Sequence, residues 1–496
     1  MKRIVITLIC ASTLCPAMGQ GAFDAYKKKK QQEFNSYVSN KQAQLNEYRR
    51  KKNQEFAEYL ENHKWEPFDK KNAIKQPIEE EVPPIIFNEK DFLLEGQERQ
   101  VELIPYKKPT FKPQPTPIAP VEENNDIQDY QSFYFYGTPM KARWGDLSSF
   151  HLQGCDEKAI AKAYRFLTEK KYDNLLHDCL ALRKKYELCD WAYYKMLNSL
   201  ASTICGKNSN EATFLQGVLY NQSGYAIRFA LDRPNNKLHL LIRVNAHLYD
   251  YDCVEINNVL WYIFDKSAPQ KLHICEKAFE GEQIMQMNIE RLPLLQQKTS
   301  QKRTFKSASF NLSVDVAINK NIVDFMNDFP SCFTDDNYLT RWTYYADTPV
   351  SEEIKEMVYP RLKTSLENAN ELLSVNMLLN WVQTGFEYKL DNTVWGHDRV
   401  FFAEETMYYP YSDCEDRAIL FSHLVRDLLG LDVALVHYPG HLAAAVCFNE
   451  DVKGDYLTIE GRKFTICDPT YIRAKAGSTM PQFRNEKGKA ILCKKQ

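Results

Sequence analysis

A cysteine, a histidine and an aspartate occur in an order that thiol chemistry can use. The cysteine lies in Tyr411-Ser412-Asp413-Cys414-Glu415-Asp416-Arg417-Ala418, just ahead of the helical pattern Ala418, Leu420, Phe421, Leu424, Val425, Leu428. Ser412 followed three residues later by Glu415 is a capping-box pattern. It predicts that Cys414 sits in the first turn of a helix, where unpaired N–H groups and the helix dipole favour a thiolate. Glu415 and Asp416 pull the other way, so a histidine partner is expected.

Gly430 ends the helical pattern, and a strand follows over Val433–Tyr438. Pro439-Gly440 turns the chain, and His441 opens the next strand, Leu442–Phe448. A third strand, Lys463–Cys467, delivers Asp468 at its end, ahead of Pro469. In a helix packed on an antiparallel sheet such termini can converge. Thiol, imidazole and carboxylate then form a nucleophile, its base and the group that orients the base. Each residue alone also has an ordinary reading. A single cysteine is often a small buried hydrophobe, His437 and His423 compete with His441 as base, and Asp468 fits a turn before proline.

The three segments together resemble the transglutaminase-like superfamily of cysteine peptidases, amidases and transglutaminases. "SDCEDRAILFSHLVRDLLGL" is similar to that family's nucleophile helix, "PGHLAAAV" to its histidine strand and "ICDPTY" to its aspartate turn. The resemblance covers roughly the last 130 to 160 residues. It implies a papain-like fold, a thioester intermediate on Cys414, His441 as base and Asp468 as its orienter. Leu442 and alanines follow His441 where the family often has a bulky aromatic, which bears on the substrate groove. For the oxyanion the Cys414 backbone N–H is one donor. Gln383 in "LLNWVQTGFEY" and Trp395 in "NTVWGHDR" are side-chain candidates.

The rest of the chain must position this site. Residues 1–19 read as a secretory signal peptide: Lys2 and Arg3, an apolar run from Ile4 to Leu14, and Ala17-Met18-Gly19 before the cut. Leu14 before Cys15 does not fit a lipoprotein box. Residues 20–66 repeat with a period of eleven, Phe23/Tyr26, Phe34/Tyr37, Leu45/Tyr48 and Phe56/Tyr59. Eleven residues make three turns, so the pairs share one stripe. This suits either a coiled-coil stalk that meets a partner or self-associates, or an amphipathic helix lying on its own protein, ended by Pro67. Residues 67–130 are a proline-punctuated linker with an apolar patch, Ile85 to Leu94, that can dock as a strand.

Residues 131–300 are expected to form an α+β domain, with helices over Ala159–Leu167, Leu175–Tyr186, Trp191–Ile204 and Ala212–Tyr220. Strands follow at Ala226–Leu231, Leu238–Val244 and Val259–Phe264. Residues 301–334 connect to the transglutaminase-like domain, 335–490. The fold class is therefore α+β, an antiparallel sheet under a helix, preceded by a second α+β domain and the repeat helix. Aligning Gly224 with Gly430 sets Ala212 on Ala418, Phe214 on Leu420 and Val218 on Leu424. Asp265 then falls near the place of Asp468, and Asn208 at that of Cys414. The middle domain thus reads as a degenerate, non-catalytic copy, or as a chance likeness between two helix–hairpin units.

Of 496 residues, 44% are hydrophobic, enough to fold two or three domains. Sixty-three basic residues nearly cancel sixty-five acidic ones, so global charge points to neither nucleic acid nor an anionic membrane. Outside the leader eleven scattered cysteines remain, with no metal-like CxxC pairs. No cofactor or metal and no transmembrane anchor are expected. The expected function is an exported, periplasmic or secreted cysteine hydrolase or acyltransferase acting on a protein or peptide. Peptidase or amidase action is favoured over crosslinking, because water is always available as the acceptor. The alternative is a non-catalytic envelope scaffold with a relic triad.

Overall fold

The computed structural model describes residues 18–91, 95–108, 110, 112–144, 150–169, 172–265, 269–334 and 336–494. The leader, with Cys10 and Cys15, lies outside the described residues except for its last two positions. So does the end of the apolar patch, residues 92–94. No helix among the described residues is long and apolar enough to cross a membrane.

The repeat segment is one helix, Met18–Asn62. Its aromatic stripe divides into two halves. Phe23, Tyr26, Phe34 and Tyr37 are each 60% exposed or more, whereas Phe56 is 6% exposed and packs on Phe279 and Tyr164. Arg49 and Asp173 form a buried ion pair at the same contact. The rear half therefore lies on its own protein, and the front half stands clear of it. The helix stops at Asn62, short of the expected end at Pro67. Trp65 turns back into the core with its indole N–H on the Leu60 carbonyl, 3.2 Å away, and Pro67 enters a strand instead.

Two mixed α+β modules follow, and their sheets share one strand order. In the C-terminal sheet the order is Tyr456–Ile459, Arg462–Cys467, His441–Cys447, Asp432–Tyr438, Gly488–Cys493 and Val101–Leu103. In the middle sheet it is Cys253–Ile256, Val259–Ile263, Lys237–Ile242, Ile227–Asp232, Lys271–Ile274 and Glu66–Asp69. The first five strands of each run antiparallel to their neighbours. Only the last edge differs, parallel at Val101–Leu103 and antiparallel at Glu66–Asp69. In both modules a helix precedes the central hairpin, Cys414–Leu429 in one and Asn210–Gln222 in the other. Their apolar residues merge: one buried cluster runs from Phe56 and Phe214 to Ala418, Leu435 and Leu442.

The proline-rich segment is more than a spacer, because its start and its middle are built into sheets. Glu66–Asp69 extends the middle sheet and Val101–Leu103 the C-terminal one. Between them the chain is strapped onto the C-terminal module. Val82 N–H donates to Gly440 O at 2.9 Å, and Ile85 and Phe87 bond to either side of Ile472. Gly440, at φ +68°, lies so close under the Glu80 carbonyl that any Cβ there would collide with it. Proline-rich sequence lacks internal hydrogen bonds, so its free backbone groups can pair with whatever edge it meets.

Candidate functional site

Cys414 is the first residue of its helix and is 2% exposed. The cap lies one residue later than the sequence pattern suggested. Asp413 is the N-cap and accepts from Asp416 N–H, while the Asp416 carboxylate accepts from Asp413 N–H, both at 3.3 Å. Aspartate is as good an N-cap as serine, so the two registers are indistinguishable from residue types alone. Ser412 instead accepts from buried Arg417, which also donates to the carbonyls of Gln383 and Phe386.

His441 and Asp468 meet as the sequence order required. Nε2 of His441 lies 2.9 Å from Oδ2 of Asp468, and both residues are buried. The other Asp468 oxygen accepts from the N–H groups of Thr470 and Tyr471. The imidazole stacks face to face on Phe483, with centroids 5.1 Å apart. Its Nδ1 is buried without a hydrogen-bond partner among the described residues. Cys414, His441 and Leu442 line one cavity of about 370 Å³.

The thiol itself donates to Oε2 of Glu415 at 3.1 Å. Burial, reinforced by the charges of Glu415 and Asp413, pushes the Cys414 thiol well above its ordinary value; a Leu442 N–H on the sulfur opposes this. Burial likewise raises Asp413, Glu415 and Asp416, and it pushes Asp391 up to about 8. The surroundings of the helix N-terminus thus favour the thiol over the thiolate. Asp413, Cys414 and Glu415 bring ligand atoms within 4.8 Å of one another. One Asp413 oxygen is engaged at the N-cap and the thiol donates to Glu415, while the other Asp413 oxygen is buried without a hydrogen-bond partner among the described residues.

No protein-family model, curated protein or solved structure matches this chain.

Of the competing histidines, His423 is buried on the helix, bonded to the Tyr345 carbonyl, and held down to about 4 by burial. His437 lines the cavity, but it pairs with Glu79 of the strap at 2.8 Å and packs on Trp342. Neither oxyanion candidate reaches the cavity. Gln383 donates both its N–H groups to the carbonyls of Asp468 and Ala474 and accepts from Arg473 N–H, so it braces the aspartate turn. Trp395 is enclosed by Phe401, Tyr409 and the Arg399 guanidinium. Sequence reasoning missed Trp342. It is 2% exposed, lines the cavity, and has an indole N–H without a partner among the described residues. It also missed Glu79 and Arg341 in the same wall. A tryptophan in an aromatic-rich helix gives no local sign that it will line a cavity with a cysteine some seventy residues on.

The middle module holds a counterpart constellation. Its helix begins at Asn210, as the other begins at Cys414. Leu238 N–H donates to the Asn210 side chain at 3.0 Å, as Leu442 N–H reaches the Cys414 sulfur. Lys237 opens its strand as His441 does, and its ammonium lies 2.6 Å from Asp265. The register agrees, for Leu241 pairs with Ile263 and Ala444 with Cys467. This places Lys237 and Asp265 at the same diagonal offset as His441 and Asp468. The counterpart of Cys414 is therefore Asn210 rather than Asn208. The alignment through the glycines slipped because Gly430 is itself the helix C-cap, whereas Gly224 follows the C-cap Ser223 of a shorter helix.

Proposed function

We propose that the chain is an exported, thiol-dependent acyl-transfer enzyme that cleaves amide bonds through a thioester on Cys414. The observation that carries this reading is the buried His441–Asp468 pair. One imidazole nitrogen is fixed on a carboxylate, the other is buried without a hydrogen-bond partner among the described residues, and the ring lines the same cavity as the thiol. An Asp-bound Nε2–H leaves Nδ1 as the proton acceptor.

In this mechanism the Cys414 sulfur attacks the amide carbonyl as its proton passes to Nδ1 of His441. Attack and proton transfer are coupled because the buried carboxylates disfavour a free thiolate. The Trp342 indole N–H, with the Cys414 backbone N–H, stabilises the oxyanion. His441 then protonates the leaving amine and the C–N bond breaks. Water, deprotonated by His441, adds to the thioester and releases a carboxylic acid and the thiol. A lysine amine in place of water would give a crosslink; hydrolysis is favoured because water is always available, whereas crosslinking needs a second, shaped amine site.

The middle module, with Asn210, Lys237 and Asp265 at the three corresponding positions, is in this reading a non-catalytic copy of a transglutaminase-like unit. An amide has no nucleophilic thiol to offer.

The rival reading, a scaffold with a relic site, draws on the thiol's elevated pKa. Iodoacetamide labelling of Cys414 across pH, read by peptide mass spectrometry, separates the two. In wild type the rate should be at least about tenfold above that of His441→Ala near neutral pH. Equal rates would mean that the imidazole does not serve the sulfur, and the scaffold reading would stand.

A further inference from the structure

The repeat helix has a front that no other described part of the chain covers. Every residue from 23 to 41 is exposed, and Phe23, Tyr26, Phe34 and Tyr37 each keep 60% or more of their surface open. The stripe holds more than aromatics. Four residues after each of its tyrosines stands a base: Lys30, Lys41, Lys52 and then His63. Residues four apart stack along a helix, so each repeat presents an apolar residue, a tyrosine and a cation in three successive turns. Lys30 lies 5.9 Å from the Tyr26 ring and Lys52 5.5 Å from the Tyr48 ring.

The docked repeat shows what this pattern holds. The Tyr48 hydroxyl donates to the Glu280 carboxylate of the middle module, and Lys52 pairs with the same carboxylate at 3.1 Å. Lys52 also pairs with Glu55 of its own helix at 3.1 Å. Twenty-two residues earlier Tyr26, Lys30 and Glu33 repeat Tyr48, Lys52 and Glu55, and Lys30 already pairs with Glu33 at 2.7 Å. Among the described residues none stands to Tyr26 and Lys30 as Glu280 stands to Tyr48 and Lys52.

A second copy supplies that carboxylate. Glu33 flanks the stripe at about 60° from its centre, on the side of Tyr26. In an antiparallel pair with twofold symmetry, like flanks meet. Crossing at Gln31 sets Glu33 of each copy opposite Lys29 of the other, between Tyr26 and Lys30. The aromatics then interleave, Phe34 opposite Lys28 and Tyr26 opposite Ser36. Gln20 falls opposite Gln42, where the helix meets the linker through the Pro120 carbonyl at 3.1 Å. Parallel pairing is blocked, because the same stripe carries Phe56 onto Phe279 and Tyr164 and a parallel helix laid on it would run into the body. The stripe drifts by only about 20° per repeat, which keeps the two halves on one side. Four aromatics at this exposure offer on the order of 500 Å². That is over half of the roughly 800 Å² that each partner brings to a stable interface. A bilayer would want a continuous apolar face, whereas Lys30 and Lys41 interrupt this one in every third turn.

We propose that the front of the repeat helix is a homodimer interface, two copies pairing antiparallel over residues 20–42. The proposal is independent of the thiol-enzyme reading. Sedimentation velocity of the chain without its leader, residues 20–496, tests it at concentrations up to about 100 µM. Monomer and dimer should interconvert with concentration. Tyr26→Ala combined with Phe34→Ala should weaken the dimer about tenfold or more. Glu33→Lys should weaken it about fivefold or more, and adding Lys30→Glu, which exchanges the charges, should restore most of that loss. Tm should hold in every variant, since these side chains are solvated in the monomer. Small-angle X-ray scattering of the dimer should show two separated bodies. A chain that is monomeric at every concentration overturns the proposal, as does a dimer indifferent to these variants or one whose bodies lie side by side. A monomer that binds phosphatidylglycerol vesicles through the same aromatics would make the stripe a membrane surface and overturn it equally.

Discussion

Glu415 decides how the Cys414 thiol rests. Its carboxylate accepts the thiol proton at 3.1 Å and, after burial, is the largest influence raising the thiol. Glu415→Gln removes a negative charge beside the sulfur and keeps the side chain's size. The pH midpoint of Cys414 alkylation should move down by about one unit or more, since even a screened charge at this separation is worth over 1 kcal/mol. An unmoved midpoint would show that burial alone sets the thiol. The acidic neighbour also explains why a capped helix start is an incomplete predictor of a reactive cysteine: the dipole's contribution is smaller than the desolvation it must oppose.

At the scale of elements, the strap over residues 75–87 is fastened by Glu79. It accepts from Gly440 N–H at 3.0 Å and pairs with His437 at 2.8 Å, and the hydrogen bond to His437, first among its causes, holds its carboxyl down to about 2. A carboxyl lowered on folding contributes stability above its unfolded pKa of about 4.5 and loses it as pH falls from there towards 2. The side chain is 28% exposed, so solvent weakens the latch to about 1 kcal/mol. Glu79→Gln should speed hydrogen exchange of residues 75–82 several-fold at neutral pH and leave the central strands Asp432–Tyr438 and His441–Cys447 unchanged. Mass-spectrometric exchange reads both, and equal protection in the variant would mean that the backbone bonds of Val82 and Phe87 hold the strap by themselves.

For the molecule as a whole, pH acts mainly through buried carboxyls. Glu404 is 1% exposed, accepts from Ser351 N–H at the start of the helix Glu352–Leu366, and leaves its second oxygen unpaired. Burial raises it to about 7, and burial likewise raises Glu405 to about 7. Groups raised on folding hold protons that the unfolded chain has already released. Their stability is full below about 4.5 and is lost as pH rises through about 7. The shift at Glu404 corresponds to about 3 kcal/mol. Glu404→Gln should therefore flatten the fall in Tm between pH 5 and 8 by calorimetry. A slope identical to wild type would place the pH dependence elsewhere in the acidic cluster.

Local pattern determined a great deal. The 3.6-residue periodicity and glycine stop located the helix Cys414–Leu429, and alternating apolar runs with Pro439-Gly440 located the hairpin. These fix which residues stand at element ends, and His441 with Asp468 came together there because strand pairing admits few registers. Short strands such as Tyr456–Ile459 and Gly488–Cys493 escaped, since four to six residues of mixed character carry little periodic signal. Tertiary structure alone decided the rest. It strapped a proline-rich segment across the site, drew Trp342 into the cavity and turned Gln383 away. It left the eleven described cysteines unpaired, most of them buried. It also showed that two sheets of unlike sequence share one strand order, with Asn210, Lys237 and Asp265 at the positions that Cys414, His441 and Asp468 hold in the other module. Contacts between residues far apart in the chain depend on shape and on burial of polar groups, which no local window of sequence contains.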